Sequence, residues 1–108
     1  MEKFCFRWNE FETNIRFFFQ NLRREKNLYD VSLVSEDGHQ VKAHKMILSA
    51  GSHFFKNIFD ANEDKNILIY LKGVKGDKLN SILDFLYIGE VSVAQEELND
   101  FQDTASEM

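Results

Sequence analysis

Eleven phenylalanines in 108 residues set the hardest condition on how this chain can fold. Each ring carries a large apolar area that belongs in a core or an interface. A domain this small has much surface for its volume and struggles to hide so many rings alone. The aromatic load is therefore a first pointer to an oligomer. The length is that of one domain, with no Pro anywhere in it. With 44% apolar and 29% charged residues, the chain can bury enough surface to fold, unlike a disordered one.

Several function classes are disfavoured at once. The net charge of −5 argues against a domain that grips nucleic acid by itself. No apolar run approaches the ~20 residues of a membrane helix. Glu2, Lys3 and Arg7 come too early for a secretory signal. A single cysteine, Cys5, excludes an internal disulfide framework and fits a reducing compartment. One Cys and three scattered histidines, His39, His44 and His53, lack the close spacing of a zinc site. Cys5 sits between two Phe on a predicted terminal strand, with no cleft-forming loop around it to make a catalytic thiol. There is no phosphate-binding glycine loop, and nothing marks out a catalytic carboxylate pair. The expectation is no enzymatic activity, no metal and no cofactor.

Periodicity supplies the elements. Phe4, Phe6 and Trp8 alternate with Cys5 and Arg7, which predicts a short strand with three aromatics on one face. Asn9 with Glu12 reads as a capping box. In the helix that follows, Phe11, Ile15, Phe18, Phe19 and Leu22 form one apolar stripe, and Arg23, Arg24 and Lys26 close it. Phe17 falls far from that stripe, among Thr13, Asn14, Gln20 and Asn21. It is either a lone exposed aromatic or a second contact face. Val31–Ser35 and Gln40–His44 read as a hairpin turning at Glu36-Asp37-Gly38. Helical stretches follow over Lys45–Ala50 and, capped by Ser52, over Phe54, Phe55, Ile58 and Phe59. Ile67–Leu71 reads as a central strand covered on both faces. Asp77 is set to cap a helix carrying Leu79, Ile82, Leu83 and Leu86, which ends at Gly89. Val91 and Val93 suggest a brief strand. Leu98, Phe101, Ala105 and Met108 keep helical spacing, and a pattern still running at the last residue suggests a fragment of a longer protein.

Three charged features need weighing. Glu90, Glu96, Glu97, Asp100, Asp103 and Glu107 stand without any Lys or Arg beyond residue 89, which reads as a solvated helix face. His44, between strand and helix, reads as a hydrogen-bonded structural histidine. Asp30 and Lys45 lie at the joined ends of the hairpin. They are either a surface ion pair or a partly buried pair at an interface.

Taken together, Phe4-Cys5-Phe6-Arg7-Trp8-Asn9, Tyr29-Asp30-Val31-Ser32-Leu33, the run Val41 to Ala50, and Phe85 to Val91 resemble a BTB/POZ domain. The Phe-x-x-Arg-Trp-Asn start resembles the tramtrack-type subgroup of arthropod transcription and chromatin factors. The likeness covers nearly all of residues 1–108, with the family's final helices truncated. Ser52-His53-Phe54-Phe55 departs from the family's usual Ser-x-Tyr-Phe.

The resemblance implies an α+β fold of helical hairpins around a small mixed sheet, with an N-terminal strand used in assembly. It implies a nuclear protein–protein interaction module that homodimerises, or forms higher multimers, and takes other BTB domains as further partners, without membrane or direct nucleic-acid contact. Carried onto this chain, the dimer interface falls on Phe4, Phe6, Trp8, Phe11, Ile15, Phe17 and Phe18, and the charged pair of the dimer groove on Asp30 and Lys45. An intramolecular edge strand is the alternative for residues 4–8. The alternative function is a substrate adaptor of a cullin-type ubiquitin ligase. Such adaptors carry a bulky apolar residue two before a Glu, where this chain has the small Ala61 before Asn62-Glu63.

Overall fold

The computed structural model describes residues 2–25 and 27–108. Among these, α1 (Phe11–Arg24) leads into the hairpin β1 (Val31–Ser35) and β2 (Gln40–Ala43). The helices α2 (Lys45–Gly51) and α3 (His53–Ala61) then carry the chain to β3 (Ile67–Leu71). Next come α4 (Gly76–Ile88), a 3₁₀ turn (Gln95–Glu97) and α5 (Leu98–Glu107). The sheet order is β2-β1-β3, with β1 antiparallel to β2 and parallel to β3. A parallel return needs a crossover, and α2 and α3 supply it. β1 is therefore the central strand, its Val31 and Leu33 in a core that also holds Leu48, Phe55, Leu79 and Leu83. This corrects the reading of Ile67–Leu71 as central. β3 is an edge, with Leu68 61% and Tyr70 56% exposed. Five apolar residues in a row conceal the alternation that separates an inner face from an outer one.

Local chemistry explains most of the joints. Gly38 turns the hairpin at φ 89°. The Asp37 carboxylate accepts from the Ser35 hydroxyl at 2.5 Å and from the Gly76 amide at 2.9 Å, tying the turn to the start of α4. The Ser35 bond chiefly holds the Asp37 pKa below its ordinary value; partial burial opposes it and the Gly76 amide assists. Ser52 caps α3 as expected, accepting from the Phe55 amide at 3.2 Å. α4 starts at Gly76 with Lys75 as its cap residue, so Asp77 lies in the first turn instead of capping. Gly89 ends it at φ 90°. Phe101 and Ala105 of α5, with Met108 just after it, face Gly51, Ile82 and Leu86.

Three expected features are absent among the described residues. Residues 2–8 and 91–93 form no strand. An isolated extended segment has no ladder to join, so its periodicity alone cannot make it a strand. The cap of α1 is Glu10, without a side-chain hydrogen bond, so Asn9 and Glu12 form no capping box. Arg23 and Arg24 do occupy the last turn of α1, while Lys26 lies outside the described residues, as do the side chains of Glu97 and Asp100.

Candidate interaction surface

α1 carries its apolar stripe as the spacing predicts, but the single chain covers little of it. Leu22 is buried and Phe19 packs partly against the core. Phe11 and Phe18 are 52% and 53% exposed, and Ile15 is half-buried. The expected core stripe is thus a core contact only in its C-terminal half. The anchor there is polar as well as apolar. The Arg23 guanidinium donates to the Asp84 carboxylate and, at 3.4 Å, to the Asn80 carbonyl, and lies 5.8 Å from the Tyr87 ring centroid. Burial lowers the Arg23 pKa, yet arginine starts high enough to stay charged. Towards its N-terminus α1 opens a groove against α4, with Phe11, Ile15 and Phe19 facing Leu86, Tyr87 and Ile88.

The segment ahead of α1 extends this uncovered surface. Phe4, Phe6 and Trp8 are 79%, 96% and 57% exposed, and Cys5 is exposed between them. The Trp8 ring meets Phe11 edge-on at 5.3 Å, and the Trp8 carbonyl accepts from the Phe11 amide at 3.2 Å. Trp8 therefore joins the segment to the helix. Phe17 is 64% exposed on the other side of α1. The radius of gyration, 16.3 Å, exceeds the ~13 Å of a compact domain of about 100 residues, in keeping with an N-terminal segment that projects from the body.

Asp30 and Lys45 are brought together, but not as an ion pair. The Asp30 carboxylate accepts from the Lys45 backbone amide at 2.8 Å, at the first residue of α2. The Lys45 ammonium turns away and donates to the carbonyls of Asp64 at 2.6 Å and Lys65 at 3.4 Å. Helix N-termini leave amides unsatisfied, and a carboxylate there also meets the positive end of the helix dipole. That geometry outcompetes a side-chain pair. His44 is the structural histidine expected. Its Nε2 lies 3.0 Å from the Asn27 carbonyl, which can only accept, so Nε2 carries the proton. Nδ1 then accepts from the Tyr87 hydroxyl at 2.6 Å, and that oxygen accepts from the His44 amide at 3.0 Å. Burial pushes the Tyr87 pKa up to about 12, so the hydroxyl keeps its proton.

Sequence reading missed Tyr87 as the partner of His44, and Asp84 as the partner of Arg23. Both lie on α4 far along the chain, and only the packing of α4 reveals them. It also missed Met46, which is 78% exposed on α2. Ala61 closes α3 and is too small for the apolar contact of a cullin adaptor. Among the described residues no cluster of His, Cys, Asp or Glu could hold a metal ion.

The chain's likenesses fit this geometry. A family model described as the BTB/POZ domain matches residues 19–108. "Longitudinals lacking protein-like" of Drosophila melanogaster is 45% identical over 107 residues, which are 99% of this chain and 84% of that protein. The alpha isoform of protein tramtrack, also from Drosophila melanogaster, is 42% identical over 93% of this chain, which spans 12% of its length. The BTB domain of human gigaxonin superposes with a TM-score of 0.81 at 19% identity, over 98% of this chain and 86% of that one, a likeness of fold. The family match begins after most of the exposed aromatics, whereas the longitudinals-lacking-like alignment takes in the N-terminal segment.

Proposed function

The chain belongs to the BTB/POZ domain family, and on that premise we propose that it is a self-associating interaction module of a nuclear transcriptional or chromatin regulator. One observation carries this reading. Six of the eleven Phe lie at or before residue 19, as Phe4, Phe6, Phe11, Phe17, Phe18 and Phe19, and none is fully buried in the single chain. Taking a Phe side chain out of water contributes roughly 1.5–3 kcal/mol. Contiguous exposed apolar surface on a soluble protein is surface awaiting a partner. The extended segments 2–8 and 91–93 support the same reading. Both have strand-like alternation, and neither has a ladder within the chain. Two copies that exchange these segments satisfy the backbone groups of both, as in strand addition.

The tramtrack-type resemblance supports a place in longer DNA-binding chains. Joining subunits then brings several DNA-binding regions together, raising avidity without any DNA contact by this domain. Its net charge of −5 suits such a role. The experiment is deletion of residues 1–8, read by gel filtration with light scattering and by circular dichroism. We expect a lower oligomeric state with helix content near wild type, because those residues hold no helix. Elution at the wild-type oligomeric mass would remove the N-terminal segment from the assembly.

A further inference from the structure

Leu86 of α4 lines two places at once. On one side it belongs to the α1–α4 groove, facing Phe11, Ile15 and Phe19. On the other it lies in the seat of α5, where Gly51 and Ile82 also face Phe101, Ala105 and Met108. That seat is incompletely filled, and a cavity of about 40 Å³ remains in it. Leu86 is meanwhile held closely from α2, since a Cβ at Gly51 would lie 2.5 Å from its Cδ2. α5 is fastened at its end, where the Met108 carbonyl accepts from the Ser52 hydroxyl at 2.5 Å and from the Phe54 amide at 3.1 Å. Its packing is partial. Leu98 is exposed, and the Phe101 ring meets the exposed Phe85 edge-on at 6.4 Å. Glu107 also sets a carboxylate at the negative end of the helix dipole, with no base in that turn. A helix so placed opens locally before the core does.

We propose that α5 controls the shape of the α1–α4 groove, acting through Leu86. With α5 seated, Phe101, Ala105 and Met108 confine Leu86, and its side chain completes the wall of the groove. With α5 lifted, that side empties, Leu86 turns into the vacated space and the groove loses its wall. A leucine occupies one of a few staggered rotamers, so the response is a step. Seat and groove are two sites sharing one side chain, and their coupling is reciprocal: filling the groove favours a seated α5. An occupant competing for the seat would therefore act on the groove from the far side of Leu86. The consequence for association rests on the reading of this groove as a contact between copies; the consequence for the groove itself does not.

The test is methyl NMR on the whole chain, with Ile15 as the reporter. Ile15 lines the groove with Phe11 and Phe19 and lies outside the α5 seat, so its methyl signals follow the groove's rings. Phe101→Ala removes the α5 ring. Gly51→Ala pushes Leu86 from the α2 side, and alanine suits the helical end of α2. Compared with wild type at equal oligomeric mass, both variants should move the Ile15 signals together with those of Leu86. On a Leu86→Ala background, Phe101→Ala should leave Ile15 unmoved, because the link is gone. Leu86 signals that move while those of Ile15 stay overturn the proposal, and so does an Ile15 shift that persists without Leu86. If Phe101→Ala melts α5 outright, the lifted state is reached and the Ile15 shift should be largest. Light scattering over a concentration series reads the association separately. Phe101→Ala should need about 5-fold more protein to reach the wild-type mass. An Ile15 shift with an unchanged mass curve supports the link and removes the groove from the assembly.

Discussion

α1 and α4 are similar in length and each carries an apolar stripe at helical spacing, yet they meet opposite fates. α4 buries Gly76, Leu79, Ile82, Leu83 and Tyr87, whereas α1 buries Leu22. The residues do not explain the difference, since α1 holds the larger side chains. Neighbours do. Among the described residues α4 packs against α1, α2 and β1, while α4 is the main neighbour of α1. Periodicity states which side of a helix is apolar; it does not state which molecule covers that side. A stripe covered within the chain contributes to folding, and one left open is free to contribute to the proposed association. The following experiments test whether that division is as sharp as the structure makes it.

The largest effect is expected inside α4. Leu83 is 1% exposed in the centre of the core, so Leu83→Ala should lose roughly 2–5 kcal/mol of folding stability, measured by urea or thermal denaturation. A loss below 1 kcal/mol would show that α4 is less central than its burial indicates.

Tyr87 comes next, because α4 also holds the polar joint. Tyr87→Phe leaves the His44 amide and Nδ1 without their buried partner, which costs about 1–3 kcal/mol. The same hydroxyl predicts an alkaline limit. Its pKa lies near 10 in the unfolded chain and about 12 in the folded one. The contribution is complete below pH 10 and is lost as pH rises towards 12, because the unfolded state sheds the proton first. Wild type should lose stability across that window, and Tyr87→Phe should lack this component of the loss. Parallel alkaline profiles for the two proteins would refute it.

How far the fold was legible follows from the same distinction. The hairpin, the Ser52 cap and the Gly89 stop were readable because each rests on local chemistry within a few residues. The apolar stripes were equally readable. The sheet order was not, since Ile67–Leu71 is apolar throughout and leaves β1 and β3 equally suited to the centre. Asp30 and Lys45 were correctly placed side by side, but the backbone amide of Lys45 is invisible to a reading that pairs side-chain charges. The surface formed by Phe4, Phe6, Trp8, Phe11, Ile15 and Phe18 was named because a resemblance pointed to it. Its exposure became visible only once the core was built without it.

The Asp30 geometry predicts a smaller, graded effect. Asp30→Ala removes the acceptor at the start of α2 and should cost about 1 kcal/mol. Asp30→Asn keeps an acceptor oxygen and loses only the charge facing the helix dipole, worth roughly 0.3–1 kcal/mol. Thermal melts should rank wild type above Asn and Asn above Ala. If instead Asp30→Asn lowers oligomeric mass as strongly as loss of the N-terminal segment, the carboxylate belongs to the interface, beyond its role in α2.

The smallest effect on the fold is expected at Phe17, where the comparison is drawn most finely. Phe17 shares α1 with the stripe but lies on its other side, 64% exposed. A change at so exposed a position should stay within about 0.5 kcal/mol of wild type in folding stability. Phe17→Asp nonetheless places a charge where the proposed interface needs an apolar ring, and a charge buried without a partner strongly opposes docking. Folding and association should therefore separate in this one variant, with an unchanged denaturation midpoint in dilute solution and a lower mass by light scattering. Wild-type mass would leave Phe17 a lone exposed aromatic and confine the proposed self-association to the stripe and the N-terminal segment. A variant that failed to fold would mean that α1 turns a different face to the core, with Phe17 inside it.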